Sequence, residues 1–186
     1  MRDGRALALD ALKVVPLLFV LAILQVAVMP ELTPYAGIPD LVLVLVIALT
    51  LWRSVELAAI VGFAGGLLMD AMTFSRLGTL SLLYVVAAVL VGHWARRPPA
   101  HPGLEPPPVP RRLVLWTVVG AAVVQVADAV LHELLGTRLS LGYLLRGQIV
   151  PAVISTGLVA LLLAPLFRRM FAPPIRRTDV PGIAAA

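Results

Sequence analysis

Six apolar stretches separated by arginines constrain this chain more than any other feature. They run over approximately Val14–Met29, Ile38–Leu51, Leu57–Met72, Leu77–Trp94, Leu113–Leu135 and Ile149–Phe167. About 20 consecutive apolar residues cross the hydrocarbon core of a bilayer. The second and third stretches are short, and only Trp52-Arg53-Ser54-Val55-Glu56 lies between them. The whole of Ile38–Met72 is too long for one crossing helix, so a closely packed hairpin is expected. Composition points the same way. The 186 residues are 60% hydrophobic and 13% charged, whereas a soluble domain carries about 25% charged residues. Too few polar groups remain to cover a water-facing surface. The expected fold class is all-α, a polytopic membrane bundle of about six transmembrane helices forming a single integral membrane domain.

Charge placement orients the bundle. With an even number of crossings, one side receives Arg2, Arg5, Lys13, Arg53, Arg96, Arg97, Arg111, Arg112, Arg168, Arg169, Arg176 and Arg177, and the other receives Arg76, Arg138 and Arg146. The rich side faces the cytoplasm by the positive-inside rule, which places both termini inside. Removing one crossing would put these clusters on opposite faces, so the charge pattern supports the helix count too. Trp52, Trp94 and Trp116 fall near the cytoplasmic interface in this layout, in keeping with an aromatic belt. Arg2, Arg5 and Lys13 ahead of the first stretch resemble the start of a signal peptide. Met29-Pro30-Glu31 offers no small-x-small cleavage site, so a retained anchor is expected.

The net charge of +5 does not indicate nucleic acid, because the basic residues sit in pairs between apolar segments and form no stripe. Cysteine is absent, which excludes a disulfide framework and thiolate metal sites. The loop from Arg96 to Arg112 is too proline-rich for a helix and reads as an extended cytoplasmic linker. His101 within it is expected to be a solvated side chain. The basic tail, 170–186, is expected to be flexible and to meet anionic headgroups. Between Gly136 and Gln148, leucines interleave with Arg138, Ser140 and Arg146, which reads either as an interfacial helix or as a ragged helix end.

No catalytic motif is present, and no metal or cofactor site is expected. Gly62, Gly65 and Gly66 give the third helix a small-residue face for close helix packing. Asp40 follows Pro39 at the start of the second helix, where a carboxylate caps free N–H groups. Asp70 lies at the wrong end of its own helix for the dipole and needs a partner, with Arg76 a candidate. It shapes the turn or serves an interaction. Gln125, Asp128 and His132 share one face of the fifth helix. Asp128 is an intramembrane acid, open to three readings: polar packing, partner contact, and ion or substrate transfer. Partner contacts are expected on the lipid-facing helix sides and at the external ends around Asp70.

Pro39-Asp40-Leu41, then Arg53, the run Gly62-Phe63-Ala64-Gly65-Gly66-Leu67-Leu68-Met69-Asp70, and Leu77-Gly78 resemble the MreD family of rod-shape-determining membrane proteins. So do Leu145-Arg146 and Pro151 ahead of the last helix and Ala164-Pro165-Leu166-Phe167-Arg168-Arg169 at its end. Size, helix count and orientation agree over nearly the whole chain. The resemblance implies a fold similar to the substrate-binding subunits of energy-coupling-factor transporters. It also implies a non-enzymatic scaffold of cell elongation in the bacterial inner membrane. The partners implied are an MreC-like single-span protein, MreB, RodA and a class B transpeptidase. The alternative is the substrate-binding membrane subunit of a vitamin-type transporter. Asp40, Asp70, Asp128, His132 and Arg146 would then line a pocket open to the outside.

Overall fold

A computed structural model of the chain describes residues 2–32, 37–74, 76–95, 110–134 and 149–171. Every element in it is helical: α1 (Arg2–Ala27), α2 (Met29–Leu32), α3 (Leu41–Trp52), α4 (Val55–Met72), α5 (Thr79–Ala95), α6 (Pro110–Leu134) and α7 (Val150–Phe171). The chain is a helical membrane protein. Lys13–Glu31, Val55–Met72, Arg111–Leu131 and Val150–Phe171 are long and apolar enough to cross a membrane, while α3 and α5 are shorter apolar helices. Residues 96–109, the 135–148 connection that includes Arg146, and the tail beyond 171 lie outside the described residues.

Sequence and structure agree on where the apolar helices are and differ at their ends. The first helix continues back through the basic residues to Arg2, because Lys and Arg are good helix formers and nothing in that stretch breaks the ladder. The second begins only at Leu41, because Asp40 has extended backbone and acts as its cap. Pro16 and Pro165 lie within α1 and α7, as membrane helices tolerate.

The hairpin expected between the second and third stretches is present. Arg53 and Ser54 alone separate α3 from α4. The Arg53 N–H closes the end of α3 on the Leu49 carbonyl at 2.8 Å. The Ser54 side chain accepts the Leu57 N–H at 3.1 Å and caps α4. An N–H at one helix start and a C=O at the other helix end both need partners, and two residues supply them.

The helices alternate between two ends of the bundle, and specific contacts fix the alternation. The Arg112 guanidinium donates to the Ala95 carbonyl at 2.6 Å, joining the start of α6 to the end of α5. That end, with Arg53, Arg111, Arg168 and Arg169, is the basic end. At the opposite, acidic end, the amide of Asp40 donates to Thr156 near the start of α7, and that of Val42 donates to Gln25 near the end of α1.

The short helix α3 is the axis of the bundle. It packs against α1, α4, α5, α6 and α7. Residues Leu41 to Leu49 are each 1% exposed or less. A helix that is apolar on every side is a buried one, and α3, read as LVLVLVIALTLW, has no polar face to turn toward water. The outer helices instead carry one buried stripe each and expose Phe19, Ile60, Leu82, Leu115 and Leu162. In a membrane that exposure faces lipid.

Candidate functional site

The N-terminus of α3 creates a local problem that the rest of the site solves. The first amides of any helix lack intrahelical partners. Here they are buried at the core of an apolar bundle, where an unsatisfied N–H costs several kcal/mol. Two other helices and the cap residue itself supply acceptors, and a third helix supplies a donor to the cap. One carboxylate oxygen of Asp40, Oδ1, accepts the Leu43 N–H at 2.9 Å. Oε1 of Gln25, from α1, accepts the Val42 N–H at 3.1 Å. Oγ1 of Thr156, from α7, accepts the Asp40 N–H at 3.0 Å and donates its own hydrogen bond to the Ala152 carbonyl at 2.6 Å. The hydroxyl of Tyr84, from α5, donates to both Asp40 carboxylate oxygens, at 2.9 and 2.8 Å.

Four helices therefore meet at Asp40, which is 7% exposed. The approach to α3 is also held. Ser155 Oγ donates to the Gly37 carbonyl at 2.6 Å. Gly37 lies so close to α7 that an added Cβ would fall on the Ala152 backbone. Pro39 is buried beside it. Sequence reading names Pro39 and Asp40 but misses Gln25, Tyr84, Ser155 and Thr156. The available signal was weak: Gln25 is the one amide side chain in the first apolar stretch, and Tyr84 the one phenol in the fourth.

A second carboxylate solves the same problem for α5. Asp70 is completely buried near the end of α4. Its Oδ2 accepts the Gly78 N–H at 2.7 Å, and its Oδ1 accepts the Leu80 N–H at 3.4 Å. The carbonyl of Gly78 already accepts the Leu82 N–H at 3.0 Å, so Gly78 stands at the cap position of α5. Asp70 lies at the unfavourable end of its own helix dipole and at the favourable end of the next one. Partners that the sequence demands for Asp70 thus include the amides of Gly78 and Leu80 at the start of α5, while Arg76, the sequence candidate, is exposed. Gly78 has φ +95°, a conformation that glycine adopts without strain. Substitution Asp70→Ala is expected to lower stability by about 1–2 kcal/mol, the usual loss for a helix cap. In hydrogen exchange, the Gly78 and Leu80 amides should lose protection before those in the middle of α5.

The glycines of α4 set the distance to α5. Gly62 faces the Tyr84 backbone and Cβ, and Gly66 faces the backbone of Leu80 and Ser81, while Gly65 faces side chains of Val42 and Leu18. The close neighbours of all three glycines are internal to the bundle. They also carry function for the polar site: close approach of α4 and α5 is what brings Asp70 to the Gly78 amide and keeps Tyr84 over Asp40.

The other sequence candidates are elsewhere. Gln125 and Asp128 are half-buried on α6, and Asp128 has an interaction partner. The side chain of His132 lies outside the described residues, as does Arg146. Pro151 is the second residue of α7, where proline is tolerated because early helical amides lack intrahelical partners. Among the described residues, no group of three or more His, Cys, Asp or Glu side chains could hold a metal ion.

No protein-family model, curated protein or solved structure matches this chain. Asp40 and Asp70 accept hydrogen bonds from the chain's own amides and a phenol. A carboxylate saturated in this way is a fastener, which holds helix ends in register.

Proposed function

We propose that this protein is a non-enzymatic scaffold of the bacterial inner membrane, of the MreD type, which helps maintain rod shape by organising lateral peptidoglycan synthesis with an MreC-like single-span protein. The observation that carries the reading is the role of the residues on which the resemblance rests. Pro39-Asp40 fixes the start of α3, Asp70 fixes the start of α5 at Gly78, and Gly62 to Gly66 set the close packing of α4 against its neighbours. A motif whose members lock helices together suits a rigid platform for other membrane proteins. The alternative, a transporter-type binding subunit, requires Asp40 and Asp70 to present free carboxylates to a ligand, and both carboxylates accept hydrogen bonds from within the chain.

All six apolar helices cross the membrane in this reading. The chain leaves α1 at the acidic end and enters α4 at the basic end, so α3 has to make the passage between them. Twelve residues at 1.5 Å each extend about 18 Å, short of the roughly 30 Å hydrocarbon core. The shortfall is tolerable because α3 is enclosed by protein and not by lipid. The basic end, with its Arg53, Arg111, Arg112, Arg168 and Arg169, is cytoplasmic. Partners dock on the outer helices and at the acidic end, and RodA, a class B transpeptidase and MreB act in the same assembly.

Depletion in a rod-shaped host is expected to round the cells. Affinity purification in mild detergent is expected to bring down a single-span protein with a large periplasmic part. Normal cell shape on depletion, with no such protein recovered, would remove the proposal.

A further inference from the structure

On the flank of the bundle, near the basic end, α5 and α6 part to leave a groove with a volume of about 160 Å³. Its walls are Ala87, Leu90, Val91, Trp94, Trp116 and Val119, and no polar atom is exposed within it. The rim is open to the surroundings: Leu90, Trp94 and Val119 are among the exposed apolar residues. On a membrane-spanning bundle those surroundings are acyl chains. Both tryptophans lie toward the basic end of the groove, where indole rings favour the boundary between chains and headgroups. The Arg112 guanidinium is held at the same end, one turn before Trp116, by its bond to the Ala95 carbonyl next to Trp94.

Size decides what fits. A dry aliphatic cavity of about 150 Å³ takes a single benzene, so this groove takes one chain segment. An α-helix with its side chains is about 10–12 Å across and cannot enter. Charge decides the rest: a cation beside the mouth of an apolar slot matches a phosphate attached to a fatty chain.

We propose that the α5–α6 groove is a phospholipid site, which seats one acyl chain between Trp94 and Trp116 and holds the anionic headgroup at Arg112. The site lies away from the Asp40 and Asp70 fastener and does not depend on the scaffold reading.

The tryptophans provide the test. The chain has three, Trp52, Trp94 and Trp116, and Trp52→Phe leaves only the two in the groove. The full-length protein in mild detergent is titrated with phosphatidylglycerol carrying brominated chains, a contact quencher of indole emission, and in parallel with brominated phosphatidylcholine. The expected result is saturable one-to-one quenching, stronger for phosphatidylglycerol. Val119→Phe, which fills the groove from its rim, should abolish the saturable part, and Arg112→Gln should erase the headgroup preference. Quenching that grows only with the lipid-to-detergent ratio and is identical in Val119→Phe would overturn the proposal. So would tryptophan emission that ignores lipid and shifts only when a single-span partner is added. Should the variants fail to fold, native mass spectrometry of the unaltered protein decides: one retained anionic phospholipid supports the site, and a lipid-free species under the gentlest conditions overturns it.

Discussion

Asp40→Ala is expected to lower stability in mild detergent by about 3 kcal/mol, the largest loss for any single polar substitution in the bundle. Removing the helix cap alone costs about 1 kcal/mol. The rest comes from what is left behind, because a buried group that loses its partner costs about 1–3 kcal/mol. The Leu43 amide and the Tyr84 hydroxyl both lose theirs. Hydrogen bonds between membrane helices average about 0.6 kcal/mol because the unfolded helices find other partners in the membrane. That discount applies less to Asp40, whose partner amide belongs to a helix end with no lipid-exposed alternative. Asp40→Asn keeps an acceptor for both groups and should cost about 1 kcal/mol. A double-mutant cycle with Tyr84→Phe, read by thermal unfolding, checks the mechanism. The phenylalanine removes the orphaned hydroxyl, so the double variant should be more stable than additivity predicts by about 1 kcal/mol. Additive losses would mean that the Tyr84 bond contributes nothing.

Gly66→Ala is expected to be comparably damaging through sterics. A Cβ there falls on the backbone N and Cα of Ser81, whereas at Gly62 it meets the Cβ and backbone of Tyr84 only at 3.3 and 3.4 Å, a clash that a shift of a few tenths of an ångström relieves. At Gly65 it meets the ends of Val42 and Leu18, at 2.7 and 2.9 Å. Side-chain ends rotate away, and a neighbouring backbone cannot. Overpacking costs about 1–3 kcal/mol, and Gly66 belongs at the top of that range because α4 and α5 must separate as whole helices. Separation also draws Asp70 away from the Gly78 and Leu80 amides, adding a lost cap to the clash. The monodisperse yield and unfolding temperature of Gly66→Ala should fall well below those of Gly62→Ala. Equal values for the two would show that α5 yields more easily than its position implies.

Several features of this arrangement are legible in the residues themselves. The apolar stretches give the helices, because backbone groups in lipid have to be paired within the segment. Pro39-Asp40 reads as a helix start from local chemistry, and Gly62 to Gly66 reads as a contact face from spacing. Asp70 is half legible. Its position shows that it needs a partner, but the amides that serve it belong to the next helix, at a separation of eight and ten residues. The cluster on α6 drew attention by spacing, yet Gln125 and Asp128 are only half-buried. Gln25 and Thr156, which carry no motif, are buried.

The sequence by itself determined that the chain is a helical membrane protein, where its apolar helices lie and which of their ends are basic, since these follow from hydropathy and charge along one dimension. Only the tertiary structure decided that the shortest of the main helices, α3, is the enclosed axis, and that Gln25, Asp40, Tyr84 and Thr156 meet at its start. In lipid an apolar helix is as content outside as inside, so hydropathy cannot rank one above another. Small residues that permit close approach and polar groups that must find one another make that choice, and both act across distances that the linear pattern does not record.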